Sequence, residues 1–272
     1  MENINELAQL FVEYNIYPQS CYKPNSTAII FQNKFPDNHY SKHLKVFLSH
    51  QECKSTQRGA DLPWWGKKFF TEERGSKKVM VISQDTAVKD AGSITLATCL
   101  FPYVSNPNNE HADLVDKFYN SNYYKIKKQF TDGYTTKKGD FQEGWGLNID
   151  FLYITDARKV YEENSWADRD FDEKKSKELL ESEIDFCKPD LLIILGAPGV
   201  DLLLGKGRYN NMIEEMCENK EYINIENINV KKCVIVPFFV GSGPGGNERC
   251  KIKYGFKERL ETATKLIRDL VL

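Results

Sequence analysis

Two acids stand directly after apolar runs of strand length: "VMVISQD" ends on Asp85 and "FLYITD" ends on Asp156. A third run, "VIVPFFVGSGPGGNER" (234–249), opens into a glycine-rich turn that holds Gly241, Ser242, Gly243, Asn247 and Arg249. A positioned carboxylate can orient or deprotonate water and stabilise a cation that develops beside it. A second one accepts hydrogen bonds from an amine, but while ionised it donates none. Successive backbone amides of a glycine-rich turn form a nest that grips an anion such as a phosphate. Each feature also has a plainer account. Asp is a common turn residue and helix cap, Asp156 has Arg158 and Lys159 within reach along the chain, and Gly and Pro mark ordinary loops.

What turns three separate features into one candidate site is the order of elements around them. Apolar runs of strand length fall at 79–82, 151–155, 191–195 and 233–238, and helical stretches at about 111–120, 173–187, 199–217 and 256–271. Short apolar strands separated by helices imply a parallel sheet covered on both faces. The expected fold is therefore α/β, three αβα layers around a central, mainly parallel four-stranded sheet. One domain should span 1–272, with an N-terminal part, 1–76, packed on a core at 77–272. The opening reads as a helix over 3–14, and 15–75 as irregular, punctuated by Pro18, Pro24, Pro36 and Pro63. Ligands of open α/β sheets bind at the carboxyl ends of the strands, so Asp85, Asp156 and the 241–249 turn can share one cleft.

The 272-residue chain is 41% hydrophobic and 12% aromatic, enough for a sizeable core. No apolar run approaches the roughly 20 residues of a membrane span, and the acidic, amphipathic "MENINELAQLFVEYN" is unlike a signal peptide. We expect a cytoplasmic protein with no membrane partner. A net charge of −2 excludes a bulk polycation, yet basic stretches recur at 66–78, 123–130, 135–139 and 248–257. Seven scattered cysteines without a CxxC pair point to free thiols, with Cys99, Cys187 and Cys233 in the core. His39, His43, His50 and Cys53 lie close in sequence but lack metal-ligand spacing, so we expect no metal.

At these residues the chain resembles the uracil-DNA glycosylase superfamily. "VMVISQDTAVKDAG" (79–92) looks like its first motif, a strand ending in Gly-Gln-Asp-Pro-Tyr, with Gln84 and Asp85 matching and Ser83 in place of the Gly. "FLYITDARKVY" (151–161) is similar to the strand that ends in Thr-Asn or Leu-Asn and reads the base. "CKPDLLIILGAPGVDLLLG" (187–205) resembles the structural strand and helix that follow, and 234–249 occupies the place of the last motif, usually His-Pro-Ser. The resemblance covers about 77–270 and rests on motif order as much as on identity. Val160 stands where a ligand of the iron–sulfur cluster of some branches would lie, so no cluster is expected.

The resemblance implies hydrolysis of an N-glycosidic bond on a nucleotide flipped out of DNA. Asp85, with Gln84 beside it, takes the catalytic place near C1′. Asp156 stands where uracil-specific relatives carry Asn. A carboxylate there matches the N4 amine of cytosine and opposes the O4 carbonyl of uracil. Ala87 replaces the Tyr that closes the pocket against C5 substituents, which leaves room for a 5-modified cytosine. Phe101 is the aromatic expected to stack on the base, whereas Trp64 and Trp65 suit either core packing or DNA. No His lies within 234–256, so Asn247, Arg249 or the amides of Gly241, Ser242 and Gly243 would have to serve the leaving base or a DNA phosphate. The expected partner is DNA, bound by a monomer without cofactor. Bacterial relatives that excise such bases from phage DNA would fit a defence role. An ordinary uracil-DNA glycosylase and a non-catalytic nucleic-acid-binding protein are the competing readings.

Overall fold

The computed structural model of the chain describes residues 2–14, 37, 39–50, 60–71, 76–85, 122–136, 139–162, 170–225, 228–239 and 253–272. Its centre is a five-stranded sheet. In chain order the strands are β1 (Trp64–Trp65), β2 (Val79–Asp85), β5 (Leu152–Arg158), β6 (Leu191–Leu195) and β7 (Cys233–Val236). Their spatial order is β1-β5-β2-β6-β7. All neighbours run parallel except β1, which pairs antiparallel with β5 through Trp64–Ile154 and Trp65–Tyr153. The sheet is thus α/β and mainly parallel, with five strands rather than the expected four. The extra strand escaped the sequence pattern because two tryptophans between Pro63 and Gly66 offer no periodicity to read.

The strands are where the apolar runs fall, but their ends differ. Both β2 and β5 continue three residues past their apolar cores, to Asp85 and Arg158, whereas β7 stops at Val236, before Pro237. Ladder pairing with β2, Ser83 opposite Asp156, holds β5 extended through Asp156 despite that residue's low strand propensity. A separate hairpin, β3 (Gly133–Thr135) with β4 (Phe141–Glu143), follows α3 (Asn122–Phe130). Trp145 just beyond it stacks on Phe130 at 5.1 Å and donates to Thr264 Oγ1 at 3.1 Å.

Helix α4 (Glu173–Cys187) is capped by Asp172, whose carboxylate accepts from the Lys175 amide at 2.9 Å. It buries Leu179, Leu180, Glu183, Ile184 and Cys187. The single helix expected over 199–217 is two: α5 (Ala197–Leu204) and α6 (Tyr209–Asn219). Gly205 at φ 102° and Gly207 at φ 79° adopt left-handed backbone that no helix continues through. The last helix, α7 (Phe256–Val271), lays Leu260, Ala263 and Ile267 against β7 and α6. The helix expected at 111–120 lies outside the described residues.

The N-terminal part is less irregular than its sequence suggests. Helix α1 (Glu2–Phe11) continues as a 3-10 turn over Val12–Tyr14 and packs on α4 and on α2 (His39–Ser49), which falls within the stretch read as irregular. Trp64 and Trp65 are core residues. The Trp65 ring lies between His43 and Tyr153, stacked with both, and its indole N–H donates to His43 Nδ1 at 3.1 Å. The three histidines serve packing: His39 bonds the Trp65 carbonyl and His50 bonds Asn5. Burial holds the His39 and His43 rings below the usual imidazole range. Among the described residues, Cys187 and Cys233 are buried thiols, no group of His, Cys, Asp or Glu could hold a metal, and no helix is long and apolar enough to cross a membrane.

Candidate functional site

Register fixes how the two acid-bearing strands meet. β2 and β5 are hydrogen-bonded neighbours, with Ser83 opposite Asp156 and Asp85 opposite Arg158. Asp85 and Asp156 therefore stand on adjacent strands at the same carboxyl edge, two residues apart along the ladder. Asp85 is the last residue of β2; its side chain is not among the described ones.

Gln84, half-buried, turns toward β6. A Cβ built on Gly196, the residue after β6, would lie 2.2 Å from Gln84 Nε2 and 3.4 Å from Phe238 Cβ. Gly196 also sits at φ 76°, a backbone conformation that calls for glycine. Its amide donates to the Val236 carbonyl at 2.8 Å. The Gln84 amide, the start of α5 and Phe238 thus converge on the same edge. Phe238 was read only as strand. The Phe-Phe pair directly after an apolar run was the one signal for an aromatic at this rim, with Phe239 turned inward against Trp145 at 5.7 Å.

Asp156 is neither a turn residue nor a cap. It lies inside β5, 2% exposed, and the next helix has its own cap in Asp172. Beneath it is a buried polar group that sequence reading left as a bare pairing option. Lys159, fully buried, contacts Glu183 of α4 with its ammonium and donates to Thr155 Oγ1. Glu183 also accepts from the Tyr153 hydroxyl at 2.6 Å and from Thr155. Asp61 is buried alongside, its amide donating to the Lys159 carbonyl at 2.7 Å. Burial pulls the Lys159 ammonium down to about 7, and the negative charges of Asp156 and Asp61 act upward on it. Burial likewise pushes the Tyr153 phenol well up, so it remains a donor to Glu183. Arg158 turns away from this group, over the Phe171 ring at 5.2 Å.

Ala87, Phe101, Gly241, Ser242, Gly243, Asn247 and Arg249 all lie outside the described residues. The basic stretches are partly neutralised where they are described. Lys128 pairs with Asp132 at 2.8 Å, Lys253 with Glu218 at 2.8 Å and Lys257 with Glu261 at 3.7 Å. No family model matches the chain, and no curated protein matches it.

Proposed function

We propose that the chain is a monofunctional DNA glycosylase of the uracil-DNA glycosylase type, hydrolysing the N-glycosidic bond of a flipped-out, 5-modified cytosine. The observation that carries this reading is the buried Asp156, held inside β5 at the carboxyl edge next to the strand that ends in Asp85. Burying a carboxylate is costly, and a site that reads an amine gives it a use. In this reading the parallel sheet and its helices form the three-layer αβα scaffold, and DNA is bound by a monomer. Asp85 orients or deprotonates the water that attacks C1′ and stabilises the oxocarbenium-like sugar. Gln84 steadies the catalytic strand end, and Asp156 accepts from the N4 amine. Removal of such bases from phage DNA is the biological setting that this substrate implies.

The deciding experiment is release of free base from DNA carrying uracil, cytosine or 5-substituted cytosines. The wild type should favour the cytosines. Asp156→Asn restores a donor and should move relative rates toward uracil by about one to two decades, the roughly 1–3 kcal/mol of a buried polar mismatch. A wild type that prefers uracil, with Asp156→Asn changing nothing, overturns the reading in favour of an ordinary uracil-DNA glycosylase. No release from any DNA would leave a nucleic-acid-binding protein.

A further inference from the structure

We propose that Arg259 is a phosphate-binding residue: the two Nη atoms of its guanidinium, unpaired among the described residues, form a fork beside β7 that takes the oxygens of a phosphate group. A backbone phosphate of bound DNA is one source, and it rests on the glycosylase reading; inorganic phosphate is the other, and it does not.

The fork is conspicuous for having no partner. Arg259 is 0% exposed, yet neither Nη1 nor Nη2 meets a hydrogen-bond acceptor among the described residues. Its Nε alone is engaged there, donating to the Tyr254 carbonyl at 3.0 Å. A guanidinium does not give up its charge in a protein. An unpaired buried charge is costly, so buried charges are normally matched by a side chain or an ion. Acids are not lacking around the start of α7, but each is spent elsewhere. Glu214 accepts from the Lys253 amide at 2.7 Å and Glu258 from the Gly255 amide at 2.8 Å. Glu218 pairs with the Lys253 ammonium at 2.8 Å and Glu261 with Lys257 at 3.7 Å. A planar fork left open among four glutamates matches the paired oxygens of a phosphate, which it binds bidentately.

The position of the fork suits that ligand. The Tyr222 hydroxyl donates to the Leu266 carbonyl at 2.9 Å, and Ile223 bridges Cys233, the first residue of β7. Leu266 therefore lies level with the amino end of β7. Trp145 joins Thr264 to Phe239, which lies beyond the carboxyl end of that strand, so α7 approaches the carboxyl edge as it is followed back toward its start. Arg259 precedes Leu266 by roughly 10 Å of helix, about the length of β7 itself. It thus stands near the level of Val236, on the edge that carries Gln84 and Asp85, with β6 between β7 and β2. The amino end of the 16-residue α7 opens beside the fork, where the helix dipole favours an anion. Lys253, Gly255 and Lys257 are exposed and Tyr254 is half-buried, so the fork lies directly beneath the surface. A phosphate held there would fix the register of DNA on the protein without reading its sequence.

The test compares Arg259→Met, which removes the charge, with Arg259→Lys, which keeps the charge and loses the fork. The first readout uses no DNA: the thermal midpoint in inorganic phosphate against chloride at equal ionic strength. Phosphate should raise the wild-type midpoint, raise that of Arg259→Lys less and leave that of Arg259→Met unmoved. A phosphate shift equal in all three proteins overturns the proposal. Should Arg259→Met fail to fold, the arginine side-chain nitrogen resonances of the wild type are followed as phosphate is added, with Arg259 assigned by its loss in Arg259→Lys. Its resonance should move and saturate; a resonance that stays put overturns the proposal. The second readout separates the two sources. If DNA supplies the phosphate, the slope of log affinity against log salt should be shallower in Arg259→Met by roughly 0.7–0.9, the share of one phosphate, for all sequences alike. If inorganic phosphate is the ligand, the slope stays as in the wild type while the thermal shift persists. Loss of both effects, with base excision intact, sinks the phosphate site and spares the glycosylase reading. A retained phosphate shift, with no base released from any DNA, does the reverse.

Discussion

The two halves of the central sheet are built differently. On the β6–β7 side, every residue from Leu191 to Leu195 and from Cys233 to Val236 is buried, and none is charged. On the β5–β2 side, the same sheet buries Ser83, Thr155, Asp156 and Lys159 and draws Glu183 and Asp61 in beside them. Apolar residues of similar volume would serve stability as well or better, since taking an ion pair out of water costs several kcal/mol per ion before the pair recovers it. The first half explains why the sheet stays folded. The second is where the fold gives up stability, and that is where chemistry is to be sought.

The contrast should be broken most sharply by Asp85→Asn. Loss of a positioned base or electrostatic stabiliser costs roughly 10²–10⁴ in rate, and so isosteric a change should leave DNA binding and the thermal midpoint nearly unchanged. Single-turnover excision at the wild-type rate would remove Asp85 from the mechanism.

On the apolar side the sign of the outcome reverses. Ile193→Ala, in the middle of β6, should destabilise by about 2–5 kcal/mol through lost burial and the cavity left behind. The preference among bases, measured on the folded fraction, should not move. Denaturant titration gives the first quantity and competition between two substrates the second; a shift in preference would mean the halves are not separable.

The effect read in the smallest steps, pH unit by pH unit, comes from Lys159. Its folded-state value of about 7 lies below the ordinary 10.5. Between those values the unfolded chain holds a proton that the folded chain has released, so stability should rise with pH across the window. The slope is at most about 1.4 kcal/mol per pH unit, one proton's worth. Chemical denaturation at a series of pH values should show the rise in the wild type and a flatter profile in Lys159→Met. A fall in wild-type stability over that window would mean that the contact with Glu183 outweighs the burial.

The apolar half was legible because a run such as Leu191–Leu195, covered on both faces, shows itself as continuous hydrophobicity. The polar half was legible only in part. Asp156 stood out as an acid at a strand end, but nothing in the spacing of Lys159 and Glu183 announces that they meet, 24 residues apart, through the packing of α4 on β5. Likewise Gly205 and Gly207 could be read as turn residues, yet the length of the surrounding apolar pattern favoured one helix. Helix α2 was hidden because its inward face is Tyr40, His43 and Phe47, an aromatic set that reads as readily as loop. The pairing of Gln84 with Gly196 needed the register of three strands before it had any meaning.

The two tryptophans of β1 also bear on how readily β5 opens. By pairing antiparallel with β5, and with Ala60 bridging Val160 beyond it, the 60–66 segment closes what would be an open edge. β5 is then an interior strand, paired with β2 along its length and with the 60–66 segment around Leu152–Ile154 and at Lys159–Val160. Interior strands open only when the whole domain does. The strand that presents Asp156 should therefore exchange among the slowest in the molecule, and the aim of that carboxylate should follow global unfolding more than local breathing.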